Sequence, residues 1–115
     1  MESGRYGGLG QVRYTHPVAP YGLRVTYVDN LKEFHALAPG YDGRGAAGAT
    51  APGKTVDYVL GVFDRSWLTL VHECVHVASL LLLKAGIDPQ SNNAEPLAYL
   101  VDHLAAVGAK RLALR

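Results

Sequence analysis

The sequence predicts a single α+β domain, and three observations support that fold class. Residues 23–28 and 55–64 have the composition and apolar alternation of half-buried strands. Residues 67–85 are a long apolar segment between a helix-capping serine, Ser66, and a helix-ending glycine, Gly86. Residues 93–114 then carry leucine and valine at helical spacing. With 115 residues, the chain has the length of one domain.

The first half of the chain is expected to alternate strands with loops. Residues 1–20 are rich in glycine and proline and predict a loosely ordered arm, so the domain itself is expected to span residues 21–115. After the strand at 23–28, Asp29 or Asn30 can cap a short helix that ends before Pro39 and Gly40. The glycine- and alanine-rich residues 40–54 predict a flexible loop, which is a candidate lid over the cleft.

The second half is expected to contain two helices packed against a small sheet. The segment at 67–85 is interrupted by polar residues, which favours a central core helix over a membrane span. Pro96 is compatible with the first turn of the last helix. Helical spacing divides that helix into two faces. One face carries Glu95, Tyr99, Asp102 and Ala106, and the core-facing side carries Leu97, Leu100, Val101 and Leu104.

Composition narrows the functional classes. Apolar residues make up 49% of the chain and charged residues 18%, as in a globular protein, and the net charge is +1 without a basic stripe for nucleic acid. The single cysteine, Cys74, excludes a disulfide within the chain, and the N-terminus has no apolar signal segment. We therefore expect a cytoplasmic protein that binds neither nucleic acid nor membrane. The oligomeric state stays open.

Residues 72–76 have the pattern H-E-x-x-H, which is the chemically most informative motif of the chain. Residues four apart lie on one face of a helix, so His72 and His76 can both reach one Zn²⁺ ion. Glu73 lies beside the two histidines and can act as general base toward a water activated by the metal. These three ionisable side chains lie in an apolar helix, where burial without a partner is costly, and a metal would offset that cost. The alternative is a buried hydrogen-bond network without metal.

A catalytic zinc usually has a third protein ligand, and Glu95 is the best candidate. It lies 19 residues after His76, at the start of the last helix. Asp102 or His103 could take that place instead. Glu95 could also simply stabilise the helix N-terminus through its charge.

The residues His72 to His76 followed by Glu95 resemble the gluzincins, the thermolysin-like zinc peptidases with H-E-x-x-H and a downstream glutamate. The stretch 93–99, Asn-Ala-Glu-Pro-Leu-Ala-Tyr, is also similar to small zinc-peptidase-like proteins of bacteriophages. The resemblance implies a minimal zincin-like core that binds Zn²⁺ through His72, His76 and Glu95, uses Glu73 as the catalytic base, and hydrolyses a peptide or protein substrate.

The resemblance also suggests supporting roles. The family often has an aspartate four residues after the glutamate, where this chain has Tyr99. Asp102 is therefore the candidate for orienting His72. Tyr99 and His103 are candidates for stabilising the oxyanion. The strand at 56–63 is expected to be a sheet edge that pairs with extended substrate.

Several rival interpretations remain at this point. The zinc could be purely structural in an inactive module that binds a partner protein. Residues 48–55 formally match a P-loop, G-x-x-x-x-G-K-[ST], but they lack the required strand before and helix after. Cys74 is expected to be a small buried apolar residue, and His16 and His35 are expected to be solvated in or near loops.

Overall fold

The computed structural model describes residues 13–115, which form a four-stranded mixed sheet with three α-helices. The α+β class predicted from the sequence is therefore confirmed. The elements are, in chain order, β1 (Arg13–Val18), β2 (Leu23–Val28), α1 (Leu31–Leu37), β3 (Gly48–Pro52), β4 (Tyr58–Val62), α2 (Trp67–Lys84) and α3 (Glu95–Arg111). A short 3-10 turn, Ser91–Ala94, leads into α3.

The strands lie in the order β1-β2-β4-β3, with β2 and β4 parallel and the two outer strands antiparallel to their neighbours. All five residues of β4 are buried because helices cover both faces of the sheet. Tyr58, Leu60 and Val62 pack in the same core cluster as α2 and α3, whereas Val59 packs in a second cluster with Phe34 of α1. The strand at 56–63, expected at a sheet edge, is thus a central strand.

Helix α2 begins and ends where its flanking residues predict. The Ser66 hydroxyl accepts hydrogen bonds from the backbone N–H groups of Leu68 and Thr69, and Gly86 follows the helix with a φ of +82°. The buried side of the helix carries Leu70, Cys74, Val77, Ala78, Leu81 and Leu82. Among residues 13–115, α2 alone is long and apolar enough to cross a membrane, and one side of it packs against the sheet and α3.

Helix α3 runs antiparallel to α2 and covers the β1–β2 half of the sheet. A Cβ atom on Gly108 would lie 2.7 Å from a Leu70 methyl group, so the C-terminal end of α3 lies close against the start of α2. The Tyr27 hydroxyl of β2 donates to the Leu104 carbonyl oxygen at 2.8 Å. Leu100 and Leu104 are buried, as the predicted division of this helix into two faces requires.

Two segments expected to be irregular are edge strands. Residues 13–18 form β1, although they fall in the predicted arm; the part of that arm at residues 1–12 lies outside the described residues. Residues 48–52 form β3, although glycine and alanine have low strand propensity. Here the small residues are needed, because a Cβ on Gly48 would lie 2.5 Å from the Thr69 methyl group and 2.7 Å from the Gly61 carbonyl oxygen.

Candidate metal centre

His72 and His76 lie one turn apart on α2, and their Nε2 atoms are 3.2 Å apart. Their ring centroids are 4.9 Å apart, with an angle of 72° between the ring planes. Two nitrogen ligands on a tetrahedral zinc, each at 2.0–2.1 Å, are about 3.4 Å apart. The pair therefore fits a shared zinc ion after an adjustment of a few tenths of an ångström.

The environment of the pair differs from the apolar interior expected for it. Both imidazoles are exposed, because β3 covers α2 only on the neighbouring face. The expected cost of burying three ionisable groups therefore applies to Glu73 alone, whose exposed fraction is 6%. Exposure leaves the open coordination positions of a metal at this pair accessible to water and substrate.

The Glu73 carboxylate is held by the neighbouring edge strand. The Thr50 hydroxyl of β3 donates to Glu73 Oε1 at 2.7 Å. This hydrogen bond gives the buried carboxylate a polar partner and fixes one of its two oxygens. Sequence reasoning missed Thr50, because its segment carries no local signal of a site and it lies 23 residues before Glu73.

A cleft of about 420 Å³ lies between α2 and β3 and opens on the histidine pair. Its lining includes Tyr41, Thr50, His72, Glu73, His76 and Leu80. A second depression of about 390 Å³ continues past Gly48 toward Leu68 and also contacts His72 and Glu73. The side chains of the H-E-x-x-H motif thus face one continuous groove beside an edge strand.

The structure does not bring the candidate residues of α3 to this pair. Among residues 13–115, no group of three or more His, Cys, Asp or Glu side chains is arranged to hold a metal. Glu95 is half-buried at the start of α3, Asp102 is exposed, and Tyr99 is 71% exposed. The reason is topological: α3 covers the β1–β2 half of the sheet, whereas the pair faces β3 at the other edge.

His103 contacts a different histidine. Its Nε2 atom is 2.8 Å from Nε2 of His16 on β1, and the ring centroids are 4.9 Å apart. Burial, followed by the charges of His103 and Arg111, lowers the pKa of His16 below its ordinary value. His16, expected in or near a loop, lies on a strand and is partly exposed to solvent. His35 likewise lies within α1.

Cys74 is fully buried, as expected, and faces the core. Burial, followed by the charge of Glu73, raises the pKa of its thiol to about 12. The reactive thiolate is therefore essentially absent at neutral pH, and Cys74 is a packing residue.

The segment matching the P-loop pattern has no phosphate-binding geometry. Gly48–Pro52 is a strand, the residues after it form a loop, and the next element is β4 rather than a helix. A P-loop needs a helix N-terminus directly after the glycine-rich turn. In this chain the segment instead forms one wall of the cleft.

Comparisons of the chain with protein-family models, with curated proteins and with solved structures found no match.

Proposed function

We propose that the chain is a zinc-dependent peptidase with a minimal zincin-like core. The observation that supports this most directly is the grouping of His72, His76 and the Thr50-bound Glu73 at one groove. The two imidazoles supply nitrogen ligands at zinc spacing, and the carboxylate beside them supplies a base. Cytoplasmic location is part of the same proposal.

The chain's own residues divide the chemistry among them. His72 and His76 hold the metal through Nε2. When bound, zinc supplies a Lewis acid that polarises a carbonyl group and makes water more acidic. Glu73 takes a proton from the attacking water on its free oxygen and passes it to the leaving amine. Thr50 holds the other oxygen, so the carboxylate keeps its orientation during the transfer.

Three further roles that the sequence predicts on α3 lie outside this proposal, because the structure does not bring α3 to the pair. They are Glu95 as the third zinc ligand, Asp102 as the partner of His72, and Tyr99 and His103 as oxyanion stabilisers.

An extended peptide is the substrate shape that suits the groove. Strand β3 is at the edge of the sheet and borders the histidine pair. Backbone groups on the outer side of an edge strand can pair with another extended chain. We therefore assign to β3 the substrate-pairing role that the sequence suggested for residues 56–63.

The test combines zinc content with hydrolysis of unstructured peptides by the full chain. Wild-type protein should bind one zinc at this pair and cut peptides, and Glu73→Gln should bind zinc while losing about 10²-fold to 10⁴-fold in rate. Glu33→Gln, on α1, is the matched control. Equal hydrolysis by wild type and Glu73→Gln, or a wild-type protein without zinc, would contradict the proposal.

A zinc-stabilised binding module is the second candidate function, and one surface favours it. The exposed side of α2 carries large apolar residues close to the pair: Trp67, Leu68, Val71 and Val75, of which Leu68 is 82% exposed. Exposed apolar patches of this kind often bind partner proteins. In such a module Glu73→Gln would leave partner binding intact, and wild-type protein would cut no peptide.

A further inference from the structure

A second pair of histidines lies at the opposite edge of the sheet from the first. His16 is on β1 and His103 is on α3, and β1 and β3 are the two outer strands. The pair joins residues that are 87 positions apart in the chain. It is therefore separate from the groove, and neither histidine lines that groove.

We propose that His16 and His103 form a second metal site, which takes a late divalent transition metal such as nickel or copper and ties β1 to α3. The inference stands independently of the peptidase proposal. It rests on two imidazoles from different elements whose Nε2 atoms converge at the protein surface.

The ligand type indicates the class of metal. Imidazole binds nickel and copper well, and copper is bound most tightly of the divalent first-row metals. The Nε2 atoms of His16 and His103 are 2.8 Å apart because they share a hydrogen bond, so both nitrogen ligands already lie at one place on the surface.

Without metal, the two rings share a hydrogen bond in which one Nε2 donates and the other accepts. A metal takes the place of that shared proton when both rings turn toward solvent. His103 is exposed and His16 is partly exposed, so the core does not oppose this turn. The donor ring moves its proton from Nε2 to its own Nδ1 through water, so both rings stay neutral and no net proton is released.

The surroundings limit the affinity of the site. The Arg111 guanidinium lies 4.0 Å above the centre of the Tyr14 ring, and that ring stacks beside His16. Its positive charge opposes a divalent cation, and no third His, Cys, Asp or Glu in the described part of the chain completes the site. Water would fill the remaining positions, so we expect a site that exchanges its metal readily.

Metal binding at this pair should stabilise the fold, because folding alone brings the two histidines together. A ligand that binds the native state shifts the folding equilibrium toward it. With free nickel at about 100 times the dissociation constant, the melting temperature should rise by roughly 10 °C.

The experiment uses the untagged full chain carrying His72→Ala and His76→Ala, which removes the first pair. Nickel titration by calorimetry should show one ion per chain, and nickel should raise the melting temperature. Adding His16→Ala or His103→Ala should abolish both effects. Adding His35→Ala, a histidine on α1, should leave both unchanged.

Copper bound to the same His72→Ala/His76→Ala protein gives a second readout that needs no further variant. Pulsed electron paramagnetic resonance should count two imidazole ligands on the metal. The proposal is overturned if that protein binds no nickel, if binding survives loss of His16 or His103, or if copper shows one imidazole. None of these outcomes depends on peptidase activity.

Discussion

The two histidine pairs have the same ring-centroid distance, 4.9 Å, but they are built differently. His72 and His76 are four residues apart on one helix, and their Nε2 atoms are 3.2 Å apart. His16 and His103 come from a strand and a helix 87 residues apart, and their Nε2 atoms are 2.8 Å apart. Only the first pair has a buried carboxylate beside it.

This difference separates a chemical role from a structural one. A helix turn sets the spacing of the first pair regardless of the remaining fold, and Glu73 adds a base at the same turn. The second pair exists only when β1 and α3 are packed together, and its known neighbours are Tyr14 and Arg111. The proposed role of the first pair is therefore to bind zinc beside the base Glu73, and that of the second pair is to cross-link β1 and α3.

The largest effect should come from removing a ligand of the first pair. His72→Ala leaves one imidazole at the groove, so zinc affinity should fall at least about 100-fold, and hydrolysis should be lost with it. Zinc titration with a competing chelator measures the change. His35→Ala is the control. Unchanged zinc affinity in His72→Ala would show that the first pair does not bind the zinc, and the two pairs would then not differ in this role.

The next test concerns the third ligand that the sequence predicts. Glu95→Ala should keep the zinc affinity of the wild type, because the structure does not bring Glu95 to the pair. Metal content after dialysis against a weak chelator measures this, and Glu33→Ala is the matched loss of a carboxylate. A fall of about tenfold or more in Glu95→Ala alone would show that this carboxylate is a zinc ligand.

A smaller effect should follow from Thr50→Val, which keeps the side-chain shape but removes the donor to Glu73. Hydrogen bonds to charged groups are worth about 1.5–3 kcal/mol, so kcat/KM should fall roughly 10-fold to 100-fold. Zinc affinity should stay the same, because Thr50 contacts the base and not the ligands. Thr50→Ser keeps the hydroxyl and should retain most of the activity. Wild-type activity in Thr50→Val would show that the hydrogen bond does not matter.

The smallest effect is the pH dependence of stability at the second pair. The pKa of His16 is lowered in the folded chain from its ordinary 6.5, so below about pH 6.5 the unfolded chain takes up a proton that the folded chain does not. Stability is therefore full above that pH and decreases as the pH falls toward the folded pKa. The free energy of unfolding, measured with urea between about pH 5 and 8, should change less steeply with pH in His16→Asn than in the wild type. An unchanged pH dependence of the unfolding free energy in His16→Asn would exclude His16 as its source.

The features that the sequence predicted are local ones. Ser66 and Gly86 define α2 through capping chemistry, and the i, i+4 spacing brings His72 to His76 without further information. The features that it missed depend on packing. Strand β3 is made of residues with little strand propensity, and it forms because β4 pairs with it and α2 leaves no room for larger side chains at Gly48.

The candidate site residues on α3 show the same limit, because their positions also depend on packing. Helical spacing correctly placed Leu100 and Leu104 in the core, but it carries no information on which neighbour the opposite face meets. That depends on α3 lying over β1 and β2, which brings His103 to His16. A single sequence holds no signal for such a contact across 87 residues.

The exposed position of His72 and His76 has a consequence for the proposed zinc. The core clusters are built from other side chains, so an ion at this pair would add nothing to the packed interior. The chain should therefore keep its fold without zinc, and the ion can bind and leave without any opening of the domain. The occupancy of the groove would then follow the free zinc concentration around it, which makes metal supply a direct control over when the chain is active.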